Sequence, residues 1–163
     1  MRRLLTFTLL AFALALPASA AARRHSPTDG TLSIHNARGI VTLQGPARGG
    51  VIGTVANGSV TIRDPIDGDG TGPIVTGEDS PPVEKDEMTT TWRGNKMRFR
   101  IIGGTFRIVI RGRGINLSFV GKGNVILNGA GSDDDGTYSV NGSEYNVIPA
   151  FALPFPLSIT SSP

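Results

Sequence analysis

From Thr31 onward the chain alternates apolar and polar residues in short runs punctuated by glycine. Leu32 and Ile34, Val41 and Leu43, Val51, and Val60 and Ile62 mark segments with a two-residue period, the signature of strands with one buried face. No window sustains a helical period. Asn57-Gly58 carries a two-residue turn signal that would set Val55 opposite Val60. The clearest stretch is 96–128, where Met97, Phe99 and Ile101 alternate with Lys96, Arg98 and Arg100. A turn at Gly103-Gly104 would pair Ile101 with Phe106 and Phe99 with Ile108. A second at Gly112-Arg113 would pair Ile110 with Ile115 and Phe106 with Phe119. A three-residue loop, Gly121-Lys122-Gly123, would pair Phe119 with Val125 and keep the apolar face in phase.

A four-stranded meander of this kind has one apolar face, which must be covered, and the N-terminal strands supply the cover. The pattern predicts an all-β domain, a single antiparallel β-sandwich or small barrel of about nine to eleven short strands. Segments at Thr137 to Val140, Tyr145 to Ile148 and Leu157 to Ile159 would complete it, and residues 79–88, with Pro81-Pro82, read as an exposed loop.

Three stretches carry a resemblance. They are Arg98 to Ile108 (Arg-Phe-Arg-Ile-Ile-Gly-Gly-Thr-Phe-Arg-Ile), Gly112 to Gly123 (Gly-Arg-Gly-Ile-Asn-Leu-Ser-Phe-Val-Gly-Lys-Gly) and Gly136 to Gly142 (Gly-Thr-Tyr-Ser-Val-Asn-Gly). Together they resemble uncharacterised secreted all-β proteins of high-GC Gram-positive bacteria. The resemblance implies export and fold and brings no activity, because its motifs are strand residues and turn glycines.

The N-terminus changes the picture independently of that likeness. Arg2-Arg3, the apolar run Leu4 to Pro17 and the small residues Ala18-Ser19-Ala20 have the form of a secretory signal peptide. Residues 1–20 therefore read as a signal peptide, 21–30 as a flexible leader and 31–163 as a single all-β domain, secreted or associated with the cell envelope. The apolar run is shorter than the ~20 residues that span a bilayer, so no transmembrane segment is expected after cleavage.

Composition narrows the chemistry. The chain has no cysteine and two histidines, which excludes disulfides, thiolate metal sites and thiol nucleophiles. Charge is segregated: residues 64–87 hold eight acids and one base, and residues 93–122 hold eight bases and no acid. In the hairpin register above, Arg100 faces Arg107 and Lys96 faces Arg111, with Arg98 between them. Like charges directly opposite are destabilising unless something pairs them. Lys96, Arg98, Arg100, Arg107 and Arg111 are therefore the candidate anion-binding residues, for an anionic cell-envelope polymer or glycan rather than nucleic acid. The competing reading is that the acidic segment folds over this face.

One metal motif stands out. Asp67, Asp69, Thr71 and Glu78 place oxygen ligands at positions 1, 3, 5 and 12 of a loop, the spacing of a calcium site. A solvated acidic loop accounts for the same residues, since the flanks carry no helix. Asp133-Asp134-Asp135 is a second acidic run, read as a loop tip in water. His25 and His35 assemble no triad, and Trp92 reads as a core residue at the start of a strand. The expectation is an exported, non-catalytic binding or structural module. Its alternative is a secreted, glycan-active hydrolase with a carboxylate pair.

Overall fold

The computed structural model describes residues 28–158 apart from residue 133. The signal peptide and most of the leader lie outside the described residues, as does Asp133. The strands are β1 Gly30–Arg63, β2 Gly70–Thr76, β3 Val83–Asp86, β4 Thr89–Gly103, β5 Thr105–Asn128, β6 Thr137–Val140, β7 Asn146–Val147 and β8 Leu153–Leu157. They form one antiparallel sheet that is not closed into a barrel, with no helix among the described residues. The all-β expectation holds. The strands differ from the expected short ones, because β1 runs for 34 residues and β5 for 24.

Two long strands organise everything else. One edge of β1 pairs with β4 from Arg63↔Thr89 to Val51↔Ile101, then with β5 from Arg48↔Thr105 to Gly30↔Gly121. Its other edge pairs with β5 again, from Arg63↔Arg107 to Ile40↔Asn128. Residues 107–121 of β5 are consequently held between the two halves of β1. Ile110 lies between Val41 and Val60, Ile108 between Leu43 and Ile62, and Phe119 between Leu32 and Val51. This ribbon coils without closing, and the inward side chains form a single core.

The core holds the residues that the alternation selected. Met97, Phe99, Ile101, Phe106, Ile108, Ile110, Ile115, Leu117, Phe119, Val125 and Leu127 are all buried, with Leu32, Ile34, Val60 and Ile62 from β1. Phe106 and Phe119 meet edge to face with centroids 6.3 Å apart, although they are not cross-strand partners. Trp92 is half-buried against this cluster. Each large side chain removed from water contributes about 1.5–3 kcal/mol of transfer free energy.

The expected hairpins do not form. The chain runs straight through Asn57-Gly58, Gly112-Arg113 and Gly121-Gly123, and β4 passes into β5 at Gly103-Gly104 by a bend along the same edge of β1. The pairs Ile101–Phe106, Phe99–Ile108 and Ile110–Ile115 are not made. A two-residue turn and a β-bulge both invert which residues face inward, so the same alternation fits either. At Gly114, for example, Arg38↔Arg113 gives way to Ala37↔Ile115, a one-residue slip that carries burial from even to odd positions. Residues 83–86 also depart from the expected loop and form β3, an exposed edge strand on β4.

Coiling brings backbones together where no side chain fits. Gly58 faces Gly112 and Gly49 faces Gly121 across the ladder. Gly112 and Gly121 have φ of 155° and 154°. A methyl group on Gly112 would overlap the Asn57 carbonyl oxygen, and one on Gly121 that of Arg48. Gly112→Ala and Gly121→Ala should each lower stability by at least ~2 kcal/mol, from steric overlap together with an unfavourable φ. Gly72→Ala, where a methyl meets open space, should stay within ~0.5 kcal/mol. Urea midpoints of the three variants check this, and equal midpoints would contradict the coiled ladder.

Candidate functional site

The outward positions of the coiled ladder carry the basic residues. Because Val60, Ile62, Ile108 and Ile110 point inward, their neighbours Ser59, Thr61, Arg63, Arg107 and Arg111 point out. Arg63 stands directly opposite Arg107, Ser59 lies between Arg93 and Arg111, and Arg113 lies between Asn57 and Arg38. All six arginines are exposed. Arg38, Arg63, Arg93 and Arg113 are additions that the sequence register did not place together.

The acidic segment does not cover this face. Both β2 and β3 hydrogen-bond to the edge of β4, so these two strands extend the sheet sideways. Three acids among the described residues reach the arginines: the Asp86 carboxyl is held below its ordinary range mainly by the Met88 N–H, which donates to Oδ1 at 2.9 Å, and also by the charge of Arg63; the Asp79 N–H donates to the Arg93 carbonyl at 3.0 Å; and the charge of Arg38 acts on the Asp135 carboxyl.

The candidate anion-binding residues fall into two groups. Arg98 and Arg100 sit on β4 between Thr54 and Ile52 of β1 and Thr76 and Ile74 of β2. Arg107 and Arg111 sit on β5 against Arg63 and Ser59, towards the far end of the same stretch of β1. Lys96 has φ of 58° at an irregular step of β4. The expected oppositions Arg100–Arg107 and Lys96–Arg111 are therefore absent, because β4 and β5 follow one another along β1 instead of pairing.

The candidate calcium ligands are not brought together. Asp69 Oδ2 accepts the Thr105 N–H at 2.8 Å and so fastens its loop to the β4–β5 bend. Thr71 pairs with Ile102 within β2, and Glu78 lies beyond the far end of that strand. At about 3.3 Å per residue, the seven-residue strand sets Asp69 and Glu78 at opposite ends, roughly 20 Å apart. Burial, with the neighbouring charges of Asp69 and Asp67, raises the Asp64 carboxyl above its usual range.

Asp135 corrects the reading of the second acidic run. It is buried, not at a solvated tip: its carbonyl accepts the Arg38 N–H at 3.0 Å and its Oδ2 accepts the Ser132 N–H at 2.9 Å. Amide donors of Ser132, Gly131 and Ala130 hold its carboxyl below the ordinary range against the opposing effect of burial. The residue is a structural fastening for the 129–136 loop.

A further polar cluster had no sequence signal beyond the outward phase of Ser33 and His35 on β1. Tyr145, 110 positions after His35, donates its hydroxyl to Ser33 Oγ at 2.9 Å and lies 3.0 Å from His35 Nε2. The His35 and Tyr145 rings are tilted at 47° with centroids 5.1 Å apart. Elsewhere, a cavity of about 580 Å³ is lined by Asp29 and Asp69 together with Arg48 and Lys122. Comparison with protein families, curated proteins and solved structures finds no match to this chain, so the functional reading rests on its own residues.

The lowered Asp135 carboxyl has a signed consequence. Its contribution to stability is present above the ordinary carboxylate value of ~3.9 and is lost as pH falls through its own lower value. Asp135→Asn should therefore be destabilising at pH 7, with the gap to wild type narrowing below about pH 4. Urea midpoints across that range are the check. A gap that stays constant or widens in acid would contradict the assignment.

Proposed function

We propose that this chain is an exported β-domain of the extracellular space or cell envelope that holds an anionic polymer, such as an acidic glycan or a wall polymer, on its outer sheet face. The observation that carries this reading is the direct opposition of like charges, Arg63 against Arg107 and Arg38 against Arg113, in which Asp86 near Arg63 and Asp135 near Arg38 offset one arginine of each pair and leave Arg107 and Arg113 in excess. Such oppositions cost stability when unscreened, and an anion lying across the strands relieves the cost. Guanidinium forks also suit two-point contact with carboxylate and phosphate groups better than isolated ammonium groups do. Export is supported by the basic, apolar and small-residue succession of residues 1–20.

The role is binding rather than turnover. The arginines occupy an exposed sheet face at strand spacing, where a polymer can lie along several positions while remaining in water.

Sedimentation with purified anionic wall polymer, and retention on long-chain polyphosphate as a probe of charge alone, test this. Binding should fall steeply between 0.1 M and 1 M salt, as the Debye length shrinks from ~10 Å to ~3 Å. The Arg107→Glu, Arg111→Glu double variant should bind at least tenfold more weakly. Retention insensitive to both salt and the double reversal would overturn the proposal.

A further inference from the structure

The other half of the outer face differs in chemistry from the arginine rows. Ile74 of β2, Arg100 of β4, Ile52 of β1, Ser118 of β5 and Ser33 of β1 are successive cross-strand partners, so five side chains stand in one line on one face. At about 4.8 Å between strands, that line is ~19 Å long. Three depressions, of about 450, 440 and 240 Å³, meet at Ile52, which is 61% exposed. A parallel line holds Thr76, Arg98, Thr54 and Asn116.

The two ends of this groove are unlike. At one, Arg98 and Arg100 project outward two residues apart. At the other stands Tyr145, 53% exposed, with its hydroxyl already bonded to Ser33 and near His35. A tyrosine so held offers its ring, rather than its hydroxyl, to an incoming group. The floor between is also set in advance: Asn116 Nδ2 donates to Thr54 Oγ1 at 3.2 Å, and Asn116 Oδ1 accepts the Asn36 N–H at 3.0 Å. Fixing these side chains before binding removes part of the ordering cost of association.

We propose that this groove binds an acidic saccharide chain, with an acid group of the sugar at Arg98 and Arg100 and a sugar ring against Tyr145. Hydroxyl and amide groups along the floor, an aromatic ring at one end and guanidinium groups at the other match a ligand that is polyhydroxylated, ring-shaped and anionic. An anionic lipid fits less well. Arg100 separates Ile74 from Ile52, and the apolar patch that Ile52 forms with Ile102 and Val120 is confined to the depression of about 440 Å³, so no apolar strip runs the length of the groove for an acyl chain. The inference rests on the anionic-polymer reading for its ligand class but places recognition on different residues.

Titration calorimetry at 0.15 M salt with tetragalacturonate, and with maltotetraose as a neutral tetrasaccharide, is the test. Tetragalacturonate should bind at least tenfold more tightly than maltotetraose. Tyr145→Ala and the Arg98→Ala, Arg100→Ala double variant should each weaken it at least tenfold, with unchanged thermal midpoints. Tyr145→Phe, which keeps the ring, should stay within about threefold of wild type. Arg107→Glu, Arg111→Glu should impair polyphosphate retention yet leave tetragalacturonate binding within about threefold.

Absence of tetragalacturonate binding, equal binding of the neutral sugar, or indifference to Tyr145 and the arginine pair would overturn the groove proposal. So would capture of anionic phospholipid vesicles by these residues without saccharide binding. Polyphosphate retention that survives any of these results leaves the preceding reading standing. Loss of both retention and saccharide binding sinks both.

Discussion

Close approach of glycine backbones is the constraint on which the rest of this structure depends. A strand can be paired along both edges by the same partner only if the ribbon coils, and coiling brings opposed backbones nearer than a Cβ permits. Gly58 with Gly112 and Gly49 with Gly121 supply those approaches. They allow β1 and β5 to continue through points where a bulkier residue would force a turn. The reward is that residues 107–121 of β5 are hydrogen-bonded on both sides while their apolar face closes onto one core.

That same coil decides what the outer face presents. Had β4 and β5 formed a hairpin, Arg100 would oppose Arg107 in a single basic patch. Because they follow one another along β1, the charges separate into an arginine-dense half around Arg63 and Arg107 and a mixed half around Ile52. Pairing of β2 and β3 with the edge of β4 keeps those strands beside the sheet, with Asp79 and Asp86 as acids of the segment that touch the arginine rows. Asp69 at the β4–β5 bend and Asp135 under Arg38 use their acidity within the fold itself.

Burial was legible in the sequence and pairing was not, for one physical reason. Alternation reports which face a residue occupies, so Phe99, Ile108, Ile110 and Leu117 emerge as core and Arg98, Arg100 and Arg107 as surface without knowledge of any partner. A glycine where the alternation slips is equally consistent with a hairpin and with a bulge in a long strand, and only distant residues decide between them. At Gly112 the decision is made by Gly58 and Gly39, on either side of it. The calcium-like spacing is similarly ambiguous: positions 1 to 12 describe a loop, whereas pairing of Thr71 with Ile102 and Ile74 with Arg100 draws the segment straight. Tyr145 reaches Ser33 and His35 through the fold of β6 and β7, a juxtaposition no local pattern encodes.

The most direct measurement is the set of cross-strand proton–proton contacts of residues 108–110 by NMR. The coiled ladder places Ile108 beside Leu43 on one side and Ile62 on the other, and Ile110 beside Val41 and Val60. Backbone contacts to both partners, with Gly112 and Gly121 running on in extended conformation, are the predicted result. Contacts linking Ile108 to Phe99 or to Leu117 as cross-strand neighbours would mean that the chain turns at its glycines, and would contradict the coil and the division of the outer face that follows from it.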